Sequence, residues 1–110
     1  MKRTQLGEFE EIVLLTVGVL HGNAYGVTIK DEIEQRLDRE VAIGALQVTL
    51  RRLESKGFLK SKQGGSNETR RGRPKLFFEI TAYGKNALEY SKESRDELWK
   101  ALPKLVLKLK

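Results

Sequence analysis

Two short stretches of the chain, residues 58–63 and 75–80, read as β-strands. In the second, Leu76, Phe78 and Ile80 alternate with Phe77 and Glu79. Between them lies Gly64-Gly65-Ser66-Asn67-Glu68-Thr69-Arg70-Arg71-Gly72-Arg73-Pro74, glycine-rich and basic. Two strands joined in this way make a hairpin with a long loop. A loop of that length in a compact chain usually has a function.

The hairpin follows a helix. Residues 44–56 are helical in pattern, and Gly57 stands at the C′ position, where a left-handed residue closes a helix. Ile43, Leu46, Leu50 and Leu53 form the expected inner face. Gly44, Val48, Arg51, Arg52 and Ser55 fall on the opposite side, with Gln47 and Thr49 on the flanks. This helix is therefore apolar inside, and basic and small outside.

Charge singles out the same region. Residues 51–75 carry nine basic and two acidic side chains, net +7. Residues 1–50 carry five and eight, net −3, and residues 76–110 carry seven and five, net +2. The middle segment thus accounts for the whole excess of +6. Such a block is the footprint of a polyanion partner; the plain alternative is a solvated basic face.

Two more helices precede this unit and one follows it. Over 9–21, Phe9, Ile12, Val13, Thr16 and Leu20 share one face, while Leu14, Leu15 and Val19 lie off it. A helix apolar on more than one side needs a second surface, which another subunit can supply. His21-Gly22-Asn23 is a turn signal, and residues 24–37 form a second helix with Tyr25, Ile29, Ile33 and Leu37 inside. Thr81 is a candidate N-cap for a last helix over 82–102, stopped by Pro103. Leu88, Ser91, Arg95, Leu98, Leu102 and Leu105 recur at coiled-coil spacing, and Trp99 and Val106 widen that seam.

Several function classes are excluded. The chain has no cysteine and a single histidine, His21, so thiolate and multi-histidine metal sites are ruled out, and no cofactor is implied. The longest apolar run, 12–20, is under half the ~20 residues of a membrane span. The basic start, Lys2 and Arg3, leads into Glu8, Glu10 and Glu11 rather than into a signal-peptide core, so the expected location is cytoplasmic. Those three glutamates sit in a first helical turn, where negative charge is favoured, and read as a cap. A nuclease needs convergent carboxylates, and the basic block holds only Glu54 and Glu68.

The element order is helix, helix, helix, strand, basic loop, strand, helix. The fold class is mainly α with a small β-hairpin: a winged helix-turn-helix over 1–80 and a C-terminal dimerisation helix over 81–110. A third helix of this kind fits a DNA major groove about 12 Å wide, with the hairpin loop reaching the backbone or minor groove beside it.

The ordered motifs carry a resemblance. They are Leu6-Gly7-Glu8-Phe9-Glu10 with Ile12-Val13-Leu14-Leu15, then Ala24-Tyr25-Gly26-Val27, then Ile43-Gly44-Ala45-Leu46. Next come Leu50-Arg51-Arg52-Leu53-Glu54-Ser55-Lys56-Gly57-Phe58 and Gly72-Arg73-Pro74-Lys75-Leu76-Phe77-Phe78-Glu79-Ile80-Thr81-Ala82-Tyr83-Gly84. Together they resemble the PadR family of transcriptional regulators, in its short form with one C-terminal helix. The resemblance implies a homodimer whose C-terminal helix packs on the partner, and a pseudo-palindromic operator bound mostly in repression. Two positions depart from the family pattern. Gln47 replaces the usual Tyr, and Ala42 replaces a frequent small hydroxyl residue that would cap the third helix.

The candidate DNA-binding residues are Gln47, Val48, Thr49, Arg51, Arg52 and Lys56 on helix 44–56, and Arg70, Arg71, Arg73 and Lys75 on wing 64–75. Arg51 and Arg52 suit phosphate or guanine; otherwise they are surface partners within the helix. Gln47 can read adenine. Arg71-Gly72-Arg73-Pro74-Lys75 resembles the core of an AT-hook, which lies in a narrow minor groove; the alternative is a wing touching phosphates. The candidate dimer interface is Ile12, Leu15, Val19, Leu88, Ser91, Arg95, Leu98, Trp99 and Leu102. Trp99 is either a packing residue there or a stacking wall for a small aromatic effector. The competing function is a winged-helix protein–protein interaction module without operator binding.

Overall fold

The structure, a computed structural model, describes residues 6–64, 69–70 and 73–110. Helix α1 spans Glu8–Val19, α2 Gly26–Leu37 and α3 Ile43–Ser55. Strand β1 (Leu59–Gln63) pairs antiparallel with β4 (Leu76–Ile80), in the register Leu59 opposite Ile80 to Gln63 opposite Leu76. A second small pair, β2 (Thr69–Arg70) and β3 (Arg73–Pro74), sets Arg70 opposite Arg73. Helix α4 spans Ala82–Lys100, and a short helix α5 spans Lys104–Leu107. This is a winged helix followed by a long helix.

The core collects one face from each element. It holds Val13, Leu14 and Val17 of α1, Ile29 and Ile33 of α2, Leu46, Leu50 and Leu53 of α3, and Phe58, Leu59 and Phe78 of the hairpin. Helix α1 is central, packing on α2, α3, β4 and α4. For that reason its buried arc is wider than the predicted stripe. Leu14, expected off the inner face, is fully buried, while Phe9, Ile12 and Leu20 flank the core. Leu15 and Val19 stay 48 % and 58 % exposed.

Three local devices fix the ends of α3 and the start of α4. Gly57 has φ +85°, and its N–H donates to the Glu54 carbonyl at 2.9 Å. The Phe58 N–H donates to the Leu53 carbonyl at 2.9 Å, so the helix closes in a Schellman motif with Leu53 and Phe58 both buried. Thr81 then caps α4: its hydroxyl oxygen accepts from the Gly84 N–H at 3.0 Å and donates to the Gly57 carbonyl at 2.7 Å. At Gly84 the two segments touch. A Cβ there would lie 2.2 Å from the Phe58 carbonyl oxygen, so only glycine lets α4 dock.

Helix α2 starts two residues later than its apolar pattern predicts. The Thr28 hydroxyl accepts from the Tyr25 N–H at 3.0 Å and so holds Tyr25 at the N-cap. Ala24 is left extended beside the hairpin, its carbonyl accepting from the Phe78 N–H at 2.8 Å. Helix α4 stops at Lys100, and Pro103 starts the extra turn α5 instead of ending all helical structure. The radius of gyration is 16.5 Å, against ~13 Å for a sphere-like chain of this length. Of α4, only Gly84 and Ala87, near its start, are buried.

Candidate nucleic-acid interface

Helix α3 presents the expected outward row. Gly44, Gln47, Val48, Arg51, Arg52 and Ser55 are all exposed, while Leu46, Leu50 and Leu53 anchor the other side. Thr49 does not join that row: it is only 6 % exposed. At helical spacing it follows Leu46 by three residues and precedes Leu53 by four, which turns it inward. Ile43 also departs from its expected inner place. It is 46 % exposed, because the first turn of α3 projects past the core. Ala42 is the N-cap and makes no side-chain capping bond.

Arg51 and Arg52 make no ion pair with any described residue. The acids around the body are engaged. Glu8 pairs with Arg39 at 3.0 Å, Glu11 with Arg95 at 2.9 Å, and Glu34 with Lys30 at 3.0 Å. Lys56, the C-cap of α3, pairs with the buried Glu10 at 2.9 Å. Burial pulls the Glu10 pKa upward. The Gly7 N–H, which donates to Glu10 Oε1 at 2.8 Å, and the charges of Lys56 and Arg52 outweigh it and hold the carboxyl below its ordinary range.

In the wing, Arg70 and Arg73 face each other across the β2–β3 pair, and Arg71 lies outside the described residues. The Lys75 ammonium sits 4.4 Å from the centroid of the Tyr25 ring, a cation–π contact. Tyr25 in turn meets Phe77 edge-on at 5.2 Å. Lys75 is therefore tied to the start of α2. Lys60 and Lys62 share one acid, Glu79, at 3.7 and 3.5 Å. Sequence reasoning counted these two lysines in the charge block but gave them no role. Their i, i+2 spacing on a strand places both on one face and could have identified them.

The seam residues divide. Leu88 and Ile12 pack against the chain's own core, and Arg95 is paired with Glu11. Ser91 and Leu102 are half-buried. Leu98 and Trp99 are 73 % and 67 % exposed, and Leu15 and Val19 of α1 and Leu105 of α5 are exposed as well. Among the described residues no cluster of His, Cys, Asp or Glu could hold a metal ion, and no helix is long and apolar enough to cross a membrane.

The Transcriptional regulator PadR-like family matches residues 14–90. The chain belongs to this family. PadR-like proteins are DNA-binding transcriptional regulators, not enzymes, and the winged helix described above is their fold. Among solved structures, a PadR family transcription regulator from Clostridium difficile shares 26 % identity and a TM-score of 0.66, covering 86 % of this chain and 97 % of its own. A PadR-like transcription factor from Bacteroides fragilis (24 % identity, TM-score 0.70) covers 84 % of both chains. RosR of H. salinarum (23 %, TM-score 0.70) covers 91 % of this chain and 83 % of its own. At those identities the last two show the shared fold. No curated protein matches the chain.

Proposed function

We propose that this PadR-like chain is a homodimeric repressor that reads a pseudo-palindromic operator with α3 and its basic wing. One observation carries the reading. Arg51 and Arg52 stand exposed on α3 without an ion pair among the described residues, while Glu8, Glu10, Glu11, Glu32 and Glu34 of α1 and α2 are paired with other cations. Exposed guanidinium groups held in no ion pair suit a row of phosphates, and Gln47 and Val48, one turn earlier on the same helix, suit base edges. Val48 offers a methyl surface to thymine, and Gln47 a bidentate partner to adenine. Thr49 is left out of this contact set because it is buried. Arg70, Arg71 and Arg73 belong to the wing's share, at the minor groove or on the phosphates.

The dimer reading rests on α4. Leu98 and Trp99 form an apolar surface left largely open among the described residues, and Leu15 and Val19 of α1 offer a second one. Packing them against a second copy removes both from water. Residues 81–110 thus act as the dimerisation segment and 1–80 as the DNA-binding unit. Trp99, the only tryptophan, lies on the seam, where a planar aromatic effector would stack.

Fluorescence anisotropy with DNA from the chain's own promoter, repeated across salt, tests the proposal. Neutralising Z phosphates gives log K a slope of about −0.9Z against log salt. Weak binding with no slope would refute DNA reading. A monomer in light scattering would refute the dimer. Trp99 fluorescence that no aromatic compound alters would remove the effector role.

A further inference from the structure

Apolar burial sets the depth at which α3 sits. Leu46, Leu50 and Leu53 are held by contacts that are non-directional and do not by themselves single out one roll angle. The hydrogen-bonded ion pair at its carboxyl end is directional. Glu10 is the one charged side chain, among the described residues, that the core buries. Its two oxygens do different things. Oε1 accepts from the Gly7 N–H and so fixes the carboxylate to the first turn of α1. Oε2 accepts from Lys56 Nζ at 2.9 Å, across 46 residues of sequence. Lys56 is the cap of α3, one residue before the Schellman glycine. A tether there acts on the whole helix, because the helix beyond it is rigid.

We propose that Glu10 is a positioning residue for DNA recognition: by holding Lys56 it sets the roll of α3, and with it the angle at which Gln47, Val48, Arg51 and Arg52 meet the duplex. This rests on the reading of α3 as the DNA-contacting helix. It also gives Lys56 a different task from the direct contact expected of it. Its ammonium is spent on Glu10, and the helix dipole favours a cation at that end. Roll matters to base contacts more than to phosphate contacts. Base-edge hydrogen bonds demand alignment, whereas a flexible arginine follows a phosphate.

The wild type is first used to select a preferred duplex from a random-sequence pool. Affinity for that duplex and for an unselected one is then read by anisotropy at one salt concentration, with circular dichroism reporting the fold. E10Q keeps the shape and one acceptor but loses the charge. It is expected to lower the selected-to-unselected ratio about tenfold, the scale of one mismatched base pair. K56M breaks the same tie from its exposed end and is expected to match it, and K56R to restore most of the loss. A merely destabilising role would lower the melting temperature and leave the ratio of the folded protein unchanged.

Folded E10Q and K56M that both keep the wild-type ratio overturn the proposal. So does K56M that weakens both duplexes equally, which marks Lys56 as a phosphate contact. Should E10Q fail to fold, K56M and K56R decide alone by the same criteria. A wild type that selects no duplex overturns the DNA reading itself, and that failure shows before any variant is made.

Discussion

Replacing Gly84 by alanine sets two effects of opposite sign against each other. Gly84 lies in the first turn of α4, and alanine is the better helix former by about 1 kcal/mol. On propensity alone G84A should stabilise. The packing says otherwise. The new Cβ would stand 2.2 Å from the Phe58 carbonyl oxygen and 3.0 Å from its carbon. Ordinary carbon–oxygen contact begins at about 3.3 Å, so the overlap is roughly 1 Å. Neither partner can step aside. Phe58 is held by its bond to Leu53, and its carbonyl accepts from the Thr81 N–H at 3.1 Å. Overpacking of this kind costs about 1–3 kcal/mol or more. Near the upper end of that range, with the propensity gain deducted, the net loss is about 2 kcal/mol, or roughly 10 °C in Tm for a domain of this size. A thermal melt followed by circular dichroism reads it. Gly44 is the control: a Cβ there meets nothing within 4 Å, so G44A should melt at or slightly above the wild type. If G84A also melts at or above the wild type, the close approach of α4 to the end of α3 is not what holds the helix.

Four further outcomes are expected. Thr81→Val removes the hydroxyl that caps Gly84 and bonds Gly57, and should cost about 1 kcal/mol in denaturant unfolding while keeping the β-branched shape. Arg51→Ala should weaken DNA binding and reduce the salt slope by about one, whereas Thr49→Val, at a buried site, should leave DNA affinity unchanged. Leu98→Asp places a charge on the most exposed apolar part of α4 and should shift light scattering toward monomer without lowering helix content. Glu10 has a folded pKa below its unfolded one, so its stabilisation is present above the unfolded pKa and is lost as pH falls through the folded pKa. E10Q should therefore flatten the acid side of the stability–pH curve relative to the wild type.

The order of the main elements could be read from the sequence because several boundaries carry a local chemical signal. Gly57 closed α3 through its left-handed backbone, Thr81 opened α4 through its hydroxyl, and the alternation of Leu76, Phe78 and Ile80 marked a strand. Leu14 was misplaced because periodicity assumes one buried stripe. A central helix is covered from several sides, and only the fold shows which. Thr49 was misread for a related reason: a flank position takes its side from the helix's exact roll against the core. The tie between Glu10 and Lys56 could not be read at all. Nothing in a first-turn glutamate distinguishes a dipole-favoured cap from the anchor of a residue 46 positions away. The same holds for Lys75, whose ring contact with Tyr25 requires the hairpin to fold over the start of α2.

The far half of α4 stands apart from the rest. Leu98 and Trp99 are largely exposed, so substitutions there should leave the folding of residues 6–64 almost untouched. On the proposed reading, the α4 share of the choice of mate lies apart from the α3 row that would choose the DNA sequence. Sister regulators sharing one cell could drift apart in whom they join while continuing to read related sites.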